Sequence, residues 1–185
     1  MMDMRRFLKG DEGMLSALSY HIRHNPDHMG VINYMANVNG FTMMDMVSYN
    51  EKHNEDNGED NQDGSDQNQS WNCGAEGPVR KKKVLSLRLR QLKNALLLLF
   101  LSQGTPLLLS GDEFGQTKQG NNNSYCQDNE ISWVNWKLQD TNRGLYQFAR
   151  SLIAFRKSIP SSTCRRNPLC WTIIPWACRT CLITA

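Results

Sequence analysis

The side chains best suited to chemistry lie in polar segments that follow short apolar runs. One such segment carries three consecutive amides at positions 121–123, the ring of Tyr125 and the carboxylate of Asp128. Amides and carboxylates exchange hydrogen bonds with hydroxyl groups, and an aromatic ring can stack on the face of a sugar. Asn122, Tyr125 and Asp128 are therefore candidate sugar contacts. A purely structural loop is the alternative at each position.

An acidic pair, Asp112 and Glu113, directly follows another apolar run. Carboxylates at that place can belong to a site, cap the following segment or pair with an arginine, and these alternatives stay open. The four histidines show no spacing typical of a zinc site. Residues 50–70 are rich in amides and acids, but an EF-hand register leaves no Glu at the twelfth position. We predict neither a metal nor another cofactor.

Charge and cysteine content divide the chain into a body and a tail. The net charge is +3, and residues 161–185 supply all of it through three arginines without any acidic residue. A balanced body gives no reason to expect nucleic acid as a partner. Four of the six cysteines also lie in the tail, and the body has only Cys73 and Cys126.

With no visible secretory signal and no apolar run of membrane-spanning length, we expect a cytoplasmic protein without membrane contact.

Apolar spacing predicts alternating helices and strands. Helices are expected from a cap at Asp11 to about residue 25, over 84–101 and over 144–157, with a helical segment within 41–49. Short buried strands are expected at 31–36 and 107–109, and residues 50–70 read as a solvated or disordered loop. This order, with long polar loops after the strands, is typical of an α/β barrel or a parallel sheet. Such folds place their active sites at the carboxyl ends of the strands.

Four sequence blocks resemble the glycogen-debranching enzymes and isoamylases of the α-amylase superfamily, glycoside hydrolase family 13. They occur in the family's order and spacing at residues 47–55, 70–78, 101–115 and 120–133. The resemblance covers about residues 3–158 and implies a partial (β/α)8 barrel, from about the sixth helix to the eighth. Residues 31–36 would form the seventh strand and residues 105–109 the eighth. The implied activity is retaining hydrolysis of α-1,6 branches in glycogen-like α-glucans, which would be the partner.

The resemblance also identifies one position as catalytic. In the family, a His-Asp-Gly-Phe-Thr motif after the seventh strand supplies a carboxylate that stabilises the transition state. Here the motif reads Val38, Asn39, Gly40, Phe41, Thr42. Asn39 keeps the shape but lacks the charge, which indicates either a non-catalytic relative or a subfamily that supplies the active residue differently. Val38 replaces a His that would bind the sugar. The nucleophile and acid belong to the fourth and fifth strands, which would precede Met1, so we expect this chain to be an inactive fragment.

Residues 159–185 no longer resemble the family. If suitable codons are chosen for this tail and translation starts two bases later, the resulting peptides resemble the family's continuation. We therefore predict that the tail is translated in a shifted reading frame. We then divide the chain into a barrel fragment at 1–158, with a polar loop at 50–78, and the tail. Two alternatives remain: a non-catalytic α-glucan-binding relative, or a small interaction protein that uses a basic face over residues 80–93 to bind nucleic acid.

Overall fold

The computed structural model describes residues 2–26 and 29–159. Apart from Ile159, the predicted frame-shifted tail lies outside the described residues, as does His28. The described elements are six helices, two strands and three short 3₁₀ turns. In chain order they are α1 (Met2–Lys9), α2 (Met14–Arg23), β1 (Ile32–Tyr34), α3 (Met43–Met46), a 3₁₀ turn (Glu55–Asn57), α4 (Lys82–Leu101), β2 (Thr105–Leu107), two 3₁₀ turns (Asp112–Phe114 and Ser124–Cys126), α5 (Leu138–Thr141) and α6 (Arg143–Ser158).

The two strands pair in parallel, as the sequence order of strand, helix and strand predicts. Ile32 lies opposite Thr105 and Tyr34 opposite Leu107, and α4 forms the return connection between the strands. β1 is shorter than the strand expected at 31–36, and β2 overlaps the strand expected at 107–109 only at Leu107. Each strand pairs with one neighbour within the described residues. The expectation that both strands are buried was wrong, because Ile32 and Leu107 are exposed and only Asn33 is buried among the six strand residues. A glycine is required at position 104, where φ is +99° and a Cβ would meet the carbonyl oxygen of Val31 at 2.7 Å. This close approach begins the ladder.

The buried apolar core is built mainly from the helices and from residues 35–49. From α4, the buried side chains are Leu92, Ala95, Leu96, Leu99 and Phe100. They pack against α6, α1 and α3. On the facing helices, α6 contributes the buried Leu145 and Leu152, and α1 contributes Met4. Burying each leucine side chain stabilises the fold by about 2 kcal/mol. The segments that follow the strands join this core, through Met35 and Ala36 after β1 and through Leu108 and Leu109 after β2.

The 4-3-4-3 spacing of leucines along α4 predicts one apolar stripe, with Arg88 on the polar face, but the first half of the helix differs from this prediction. The predicted stripe is Leu85, Leu89, Leu92, Leu96 and Leu99. Leu85 and Leu89 are exposed, whereas Arg88 is buried. The Arg88 guanidinium donates to the carbonyls of Gly77 at 2.7 Å and Asn72 at 3.2 Å, and so draws this side of the helix against residues 70–78. The placement of Arg88 on a polar outer face was wrong. It also removes one cation from the basic face proposed for nucleic acid.

The start of α2 is a second correction. The helix begins at Met14 after Gly13, which has a φ of +72° and provides no side-chain cap. Asp11 instead accepts a hydrogen bond from Nε of Arg6 at 2.9 Å, so its carboxylate closes the turn after α1. Helix α1 itself and the short α5 were not predicted from the sequence. The helix expected over 144–157 is confirmed as α6.

Candidate functional site

The segment that carries Asn39 is presented to solvent at the end of β1. Residues 37–40 form a bend in which Val38 is 69% exposed and Asn39 is also exposed. The backbone N–H of Asn39 donates to Oδ1 of Asn37 at 2.9 Å. Buried residues flank the bend, with Ala36 before it and Phe41 after it. The position identified from the motif is thus an exposed side chain on a bend anchored at both ends.

A capping interaction anchors the far end of this bend. Oγ1 of Thr42 accepts from the backbone N–H of Asp45 at 3.1 Å, and the Thr42 hydroxyl donates to Oδ2 of Asp45 at 2.9 Å. These two bonds start α3. The Thr-x-x-Asp spacing is visible in the sequence and is a known helix-start signal, so it could have identified Asp45.

Asp45 also connects the bend to the loop that follows β2. Its carboxylate accepts the hydroxyl of Thr117 and the backbone N–H of Lys118, the latter at 2.8 Å. The side chain is fully buried. Burial raises the pKa of Asp45, and the hydrogen bonds from Thr117 and Lys118 oppose that rise. A carboxylate at this position joins two loops that are more than 70 residues apart in the chain.

Asp112 makes the reverse connection, from the β2 loop to α3. Oδ1 of Asp112 accepts the backbone N–H of Met43 at 2.8 Å, and Oδ2 is buried without a hydrogen-bond partner among the described residues. Burial, with the nearby Asp45 and Glu113 carboxylates, raises the pKa of Asp112 to about 8. Glu113 accepts from the backbone N–H of Gly111 at 3.0 Å. The sequence left three roles open for this acidic pair: a site residue, a cap or the partner of an arginine. Asp112 does not cap the turn that it begins, and it forms no close ion pair with an arginine of the described ranges.

Asn122 lies inside a network of amides rather than on the surface. It is 2% exposed, and its side-chain oxygen accepts from Nδ2 of Asn54 at 2.9 Å. Its own Nδ2 donates to the carbonyl of Ser65 at 2.7 Å and to Oδ1 of Asn68 at 2.8 Å. Its backbone N–H donates to Oδ1 of Asn54 at 2.9 Å. These contacts use the whole amide for holding the polar loops together.

The polar loop at 50–70 is folded against the loop at 120–127. Asp63 is its junction, where Oδ2 accepts from Asn57 at 2.7 Å and from Asn123 at 2.9 Å. Burial acts to raise the pKa of Asp63, but the amide hydrogen bonds outweigh it and hold the pKa below its usual value. Gly64, with φ at +73°, allows the backbone to approach because a Cβ there would collide with the amides of Asn122 and Asn54. Of the two alternatives for residues 50–70, the structure shows an exposed loop and not a disordered stretch, because its polar groups pair across the two loops.

Tyr125 and Asp128 lie on the exposed side of this loop pair. Tyr125 is 70% exposed, and its hydroxyl donates to the carboxylate of Glu59. That hydrogen bond raises the pKa of Tyr125 to about 12. Oδ1 of Asp128 accepts from the indole N–H of Trp133 at 2.9 Å. Trp133 and Trp136 are both exposed, and Trp136 was not singled out from the sequence.

The predicted residues thus divide into three groups. Val38 and Asn39 share one exposed bend, Tyr125 and Asp128 share one exposed loop, and Asn122 is interior. No metal-binding group of three or more His, Cys, Asp or Glu side chains occurs within residues 2–26 and 29–159. In the same ranges, none of the helices combines the length and apolar character needed to cross a membrane.

Comparison with known proteins identifies the relatives of this chain. It is 53% identical over 127 residues to "Glycogen operon protein GlgX homolog" of Mycobacterium tuberculosis, an alignment that covers 69% of this chain and 18% of that protein. It is 46% identical over 168 residues to "Isoamylase 3, chloroplastic" of Oryza sativa, with 85% of this chain and 21% of that protein covered. A "Glycogen debranching enzyme" of Pectobacterium carotovorum is 46% identical over 167 residues, covering 86% of this chain and 25% of its own length. The chain therefore spans about a fifth to a quarter of the relatives it matches.

The fold is shared with a solved enzyme structure. The pullulanase from Bacillus acidopullulyticus matches with a TM-score of 0.62 at 19% sequence identity, over 85% of this chain and 16% of that one. No family profile matches the chain. The structure thus defines an α/β unit of the kind found within a pullulanase. The sequence identities then confirm the relationship predicted from the four blocks: the chain is related to the glycogen-debranching enzymes and isoamylases.

Proposed function

We propose that this chain is a segment of a retaining glycoside hydrolase that removes α-1,6 branches from glycogen-like glucans. The main support is the 46% identity, over 86% of the chain, to a protein named glycogen debranching enzyme. On this proposal β1 and β2 are the seventh and eighth strands of a (β/α)8 barrel, and residues 1–158 belong to its catalytic domain. Loops that follow both parallel strands would then lie at the catalytic face.

The chemistry assigns a specific role to position 39. Retaining hydrolysis uses one carboxylate as nucleophile and one carboxylic acid as proton donor, and both would come from the fourth and fifth strands. The third carboxylate of the family would stabilise the positive charge that develops on the sugar, and Asn39 occupies its place. An amide can bond sugar hydroxyls but cannot supply that charge. Loss of one such contact costs on the order of 3 kcal/mol of barrier, so we infer hydrolysis weakened about a hundredfold.

The exposed loop residues supply the glucan contacts in this proposal. The ring of Tyr125 is open for stacking on a sugar face. Asp128 holds the indole of Trp133, and the exposed Trp133 ring adds a second stacking surface. Val38 contributes an apolar contact where the family has a histidine. Asn122 supports these residues from inside the loop pair rather than by touching the sugar.

A non-catalytic α-glucan-binding function is the second candidate. The neutral Asn39 favours it, because an amide retains hydroxyl contacts while losing electrostatic catalysis. The gene sequence upstream of this reading frame separates the two functions. Nucleophile and acid motifs on preceding strands support a hydrolase, whereas their loss supports a binding or regulatory protein.

The decisive experiment is the substitution Asn39→Asp in the complete gene product, assayed as reducing-sugar release from glycogen and as retardation in glycogen-containing gels. A hydrolase segment should gain about a hundredfold in rate, because the charge returns where the transition state needs it. Asn37→Asp is the matched control, since it adds the same charge to the same bend and keeps the oxygen that accepts from Asn39.

The outcomes separate the two candidates. A gain in rate for Asn39→Asp but not for Asn37→Asp supports the hydrolase. Retardation by glycogen without hydrolysis in either variant supports the binding protein. Absence of both binding and hydrolysis contradicts the proposed function.

A further inference from the structure

Two buried carboxyl groups connect the loops that follow β1 and β2, and we call Asp45 and Asp112 the carboxyl clamp. Asp45 lies on the β1 side and accepts from Thr117 and Lys118 of the β2 loop. Asp112 lies on the β2 side and accepts from the backbone N–H of Met43. Each loop therefore provides the carboxyl group that holds the other. The clamp contacts the chain four residues or fewer after Asn39.

The two members of the clamp differ in how well their oxygens are satisfied. Asp45 accepts from two hydroxyls and one backbone N–H. Asp112 has one such bond, and its Oδ2 is fully buried without a partner among the described residues. Burying a carboxylate with an unsatisfied oxygen costs free energy, because a charge removed from water needs several hydrogen-bond donors to replace the water. Asp112 therefore has fewer hydrogen-bond donors to stabilise a negative charge than Asp45 has.

The charged groups around Asp112 support this difference. Asp45 from α3 and Glu113 from its own turn disfavour a further negative charge. Arg5 from α1 acts in the opposite direction, but its Nε donates to the carbonyl of Met35 at 2.7 Å. Lys118 is a further cation near both carboxyl groups, and burial lowers the pKa of Lys118. The net effect is the raised pKa of Asp112, about 8.

We propose that Asp112 is a positioning residue. As the neutral acid it accepts from Met43 and fixes the bend that carries Asn39, whereas its ionisation places a further negative charge beside Asp45 in the buried clamp, and the repulsion loosens that bend. The effect on glucan binding rests on the proposed function, whereas the effect on the bend does not. The direction follows from linkage. A folded pKa near 8, against about 4 in the unfolded chain, means that stabilisation is complete below pH 4 and is lost as the pH rises to 8.

Hydrogen exchange on the full chain tests this proposal directly. Peptides covering residues 37–46 are followed between pH 5 and 9, and protection is corrected for the intrinsic exchange rate at each pH. We expect protection of the wild-type bend to fall at least tenfold across this range. Asp112→Asn keeps an oxygen for the Met43 N–H but cannot ionise, so its protection should stay level. Asp112→Leu removes the acceptor, so its protection should be low at every pH.

Glu113→Gln is the matched control, because it removes a neighbouring charge and leaves Asp112 in place. Its protection should still fall, with a midpoint shifted to lower pH since one repulsive charge is gone. A wild-type pH response retained by Asp112→Asn would overturn the proposal. Unchanged protection in Asp112→Leu would also overturn it. If Asp112→Leu does not fold, the Asp112→Asn profile decides alone.

Glycogen affinity provides the functional measurement. Retardation in glycogen gels should weaken about threefold or more between pH 6 and 8.5 in the wild type and stay constant in Asp112→Asn. Equal weakening in both proteins would contradict a functional role for Asp112. If the wild type fails to bind glycogen at every pH while the exchange profiles are as expected, the proposed function fails and the positioning of the bend by Asp112 stands.

Discussion

Asn39 and Asn122 are the same residue type in loops at the same end of the parallel strands, yet their surroundings are opposite. Asn39 lies on an exposed bend between two buried anchors, whereas the side chain of Asn122 is enclosed by three partners from the 50–70 loop. An amide whose donors and acceptors all bond protein cannot offer them to a ligand without breaking the fold. Residue type in a polar loop therefore indicates hydrogen-bonding capacity, and burial decides how that capacity is used.

The comparison predicts the largest stability change at Asn122. Asn122→Ala leaves Asn54, Asn68 and the carbonyl of Ser65 without their shared partner in a buried position. An unsatisfied buried polar group costs about 1–3 kcal/mol, so the free energy of unfolding should drop by about 3 kcal/mol or more. Urea denaturation followed by circular dichroism measures this loss.

Asn123→Ala is the matched control for that measurement. The Asn123 side chain is less enclosed, and its Nδ2 donates to Asp63 at 2.9 Å. We expect it to cost about 1 kcal/mol, the usual value for one hydrogen bond. Equal losses in the free energy of unfolding at positions 122 and 123 would mean that the burial of Asn122 does not add to its contribution to stability.

The sequence predicted much of the framework because its signals are local. The spacing of leucines indicated α4 and α6, and short apolar runs indicated two parallel strands. The first half of α4 was misread because Leu85 and Leu89 look like a core stripe, while Arg88 turns inward to bond backbone carbonyls. Periodicity registers apolar character and does not register a buried arginine that finds its partners in a distant loop.

The candidate site was predictable only in part, for a similar reason. The position of Asn39 after a strand, within a family motif, was visible from the sequence. The pairing of Asn54 with Asn122 joins residues 68 apart, and nothing in either segment specifies it locally. The loop at 50–70 therefore resembled a disordered stretch, because composition counts polar groups without showing which ones pair. The Thr42-x-x-Asp45 cap was visible but shows only one of the bonds that Asp45 makes.

Acid sensitivity is a smaller effect that sharpens the comparison between the two loops. The pKa of Asp63 is held below its usual value, so its charged form contributes stability above about pH 4 that is lost as the pH falls through the folded pKa. Asp63→Asn should flatten the decline in stability between pH 5 and 3. Thermal unfolding midpoints at several pH values measure the slope.

Asp128→Asn is the control for acid sensitivity, because the Asp128 side chain lies on the exposed loop and bonds an exposed indole. The unfolding midpoint of this variant should depend on pH in the same way as that of the wild type. A decline of unchanged steepness in Asp63→Asn would show that the junction between the two loops does not depend on the charge of Asp63.

The smallest stability effect is expected at Asn39, where the comparison predicts a separation of stability from binding. Asn39→Ala removes an exposed side chain and keeps the backbone N–H that bonds Asn37, so the free energy of unfolding should change by less than about 0.5 kcal/mol. Affinity for glycogen should nevertheless fall about threefold or more, because the amide that would bond sugar hydroxyls is gone. Urea denaturation and retardation in glycogen gels measure the two effects on the same sample.

Asn122→Ala should show the converse order, with a large loss of stability from which any loss of binding follows. A destabilisation at position 39 comparable to that at position 122 would mean that the bend is a structural element, and the distinction between an exposed and an enclosed amide would no longer identify the glucan-facing side.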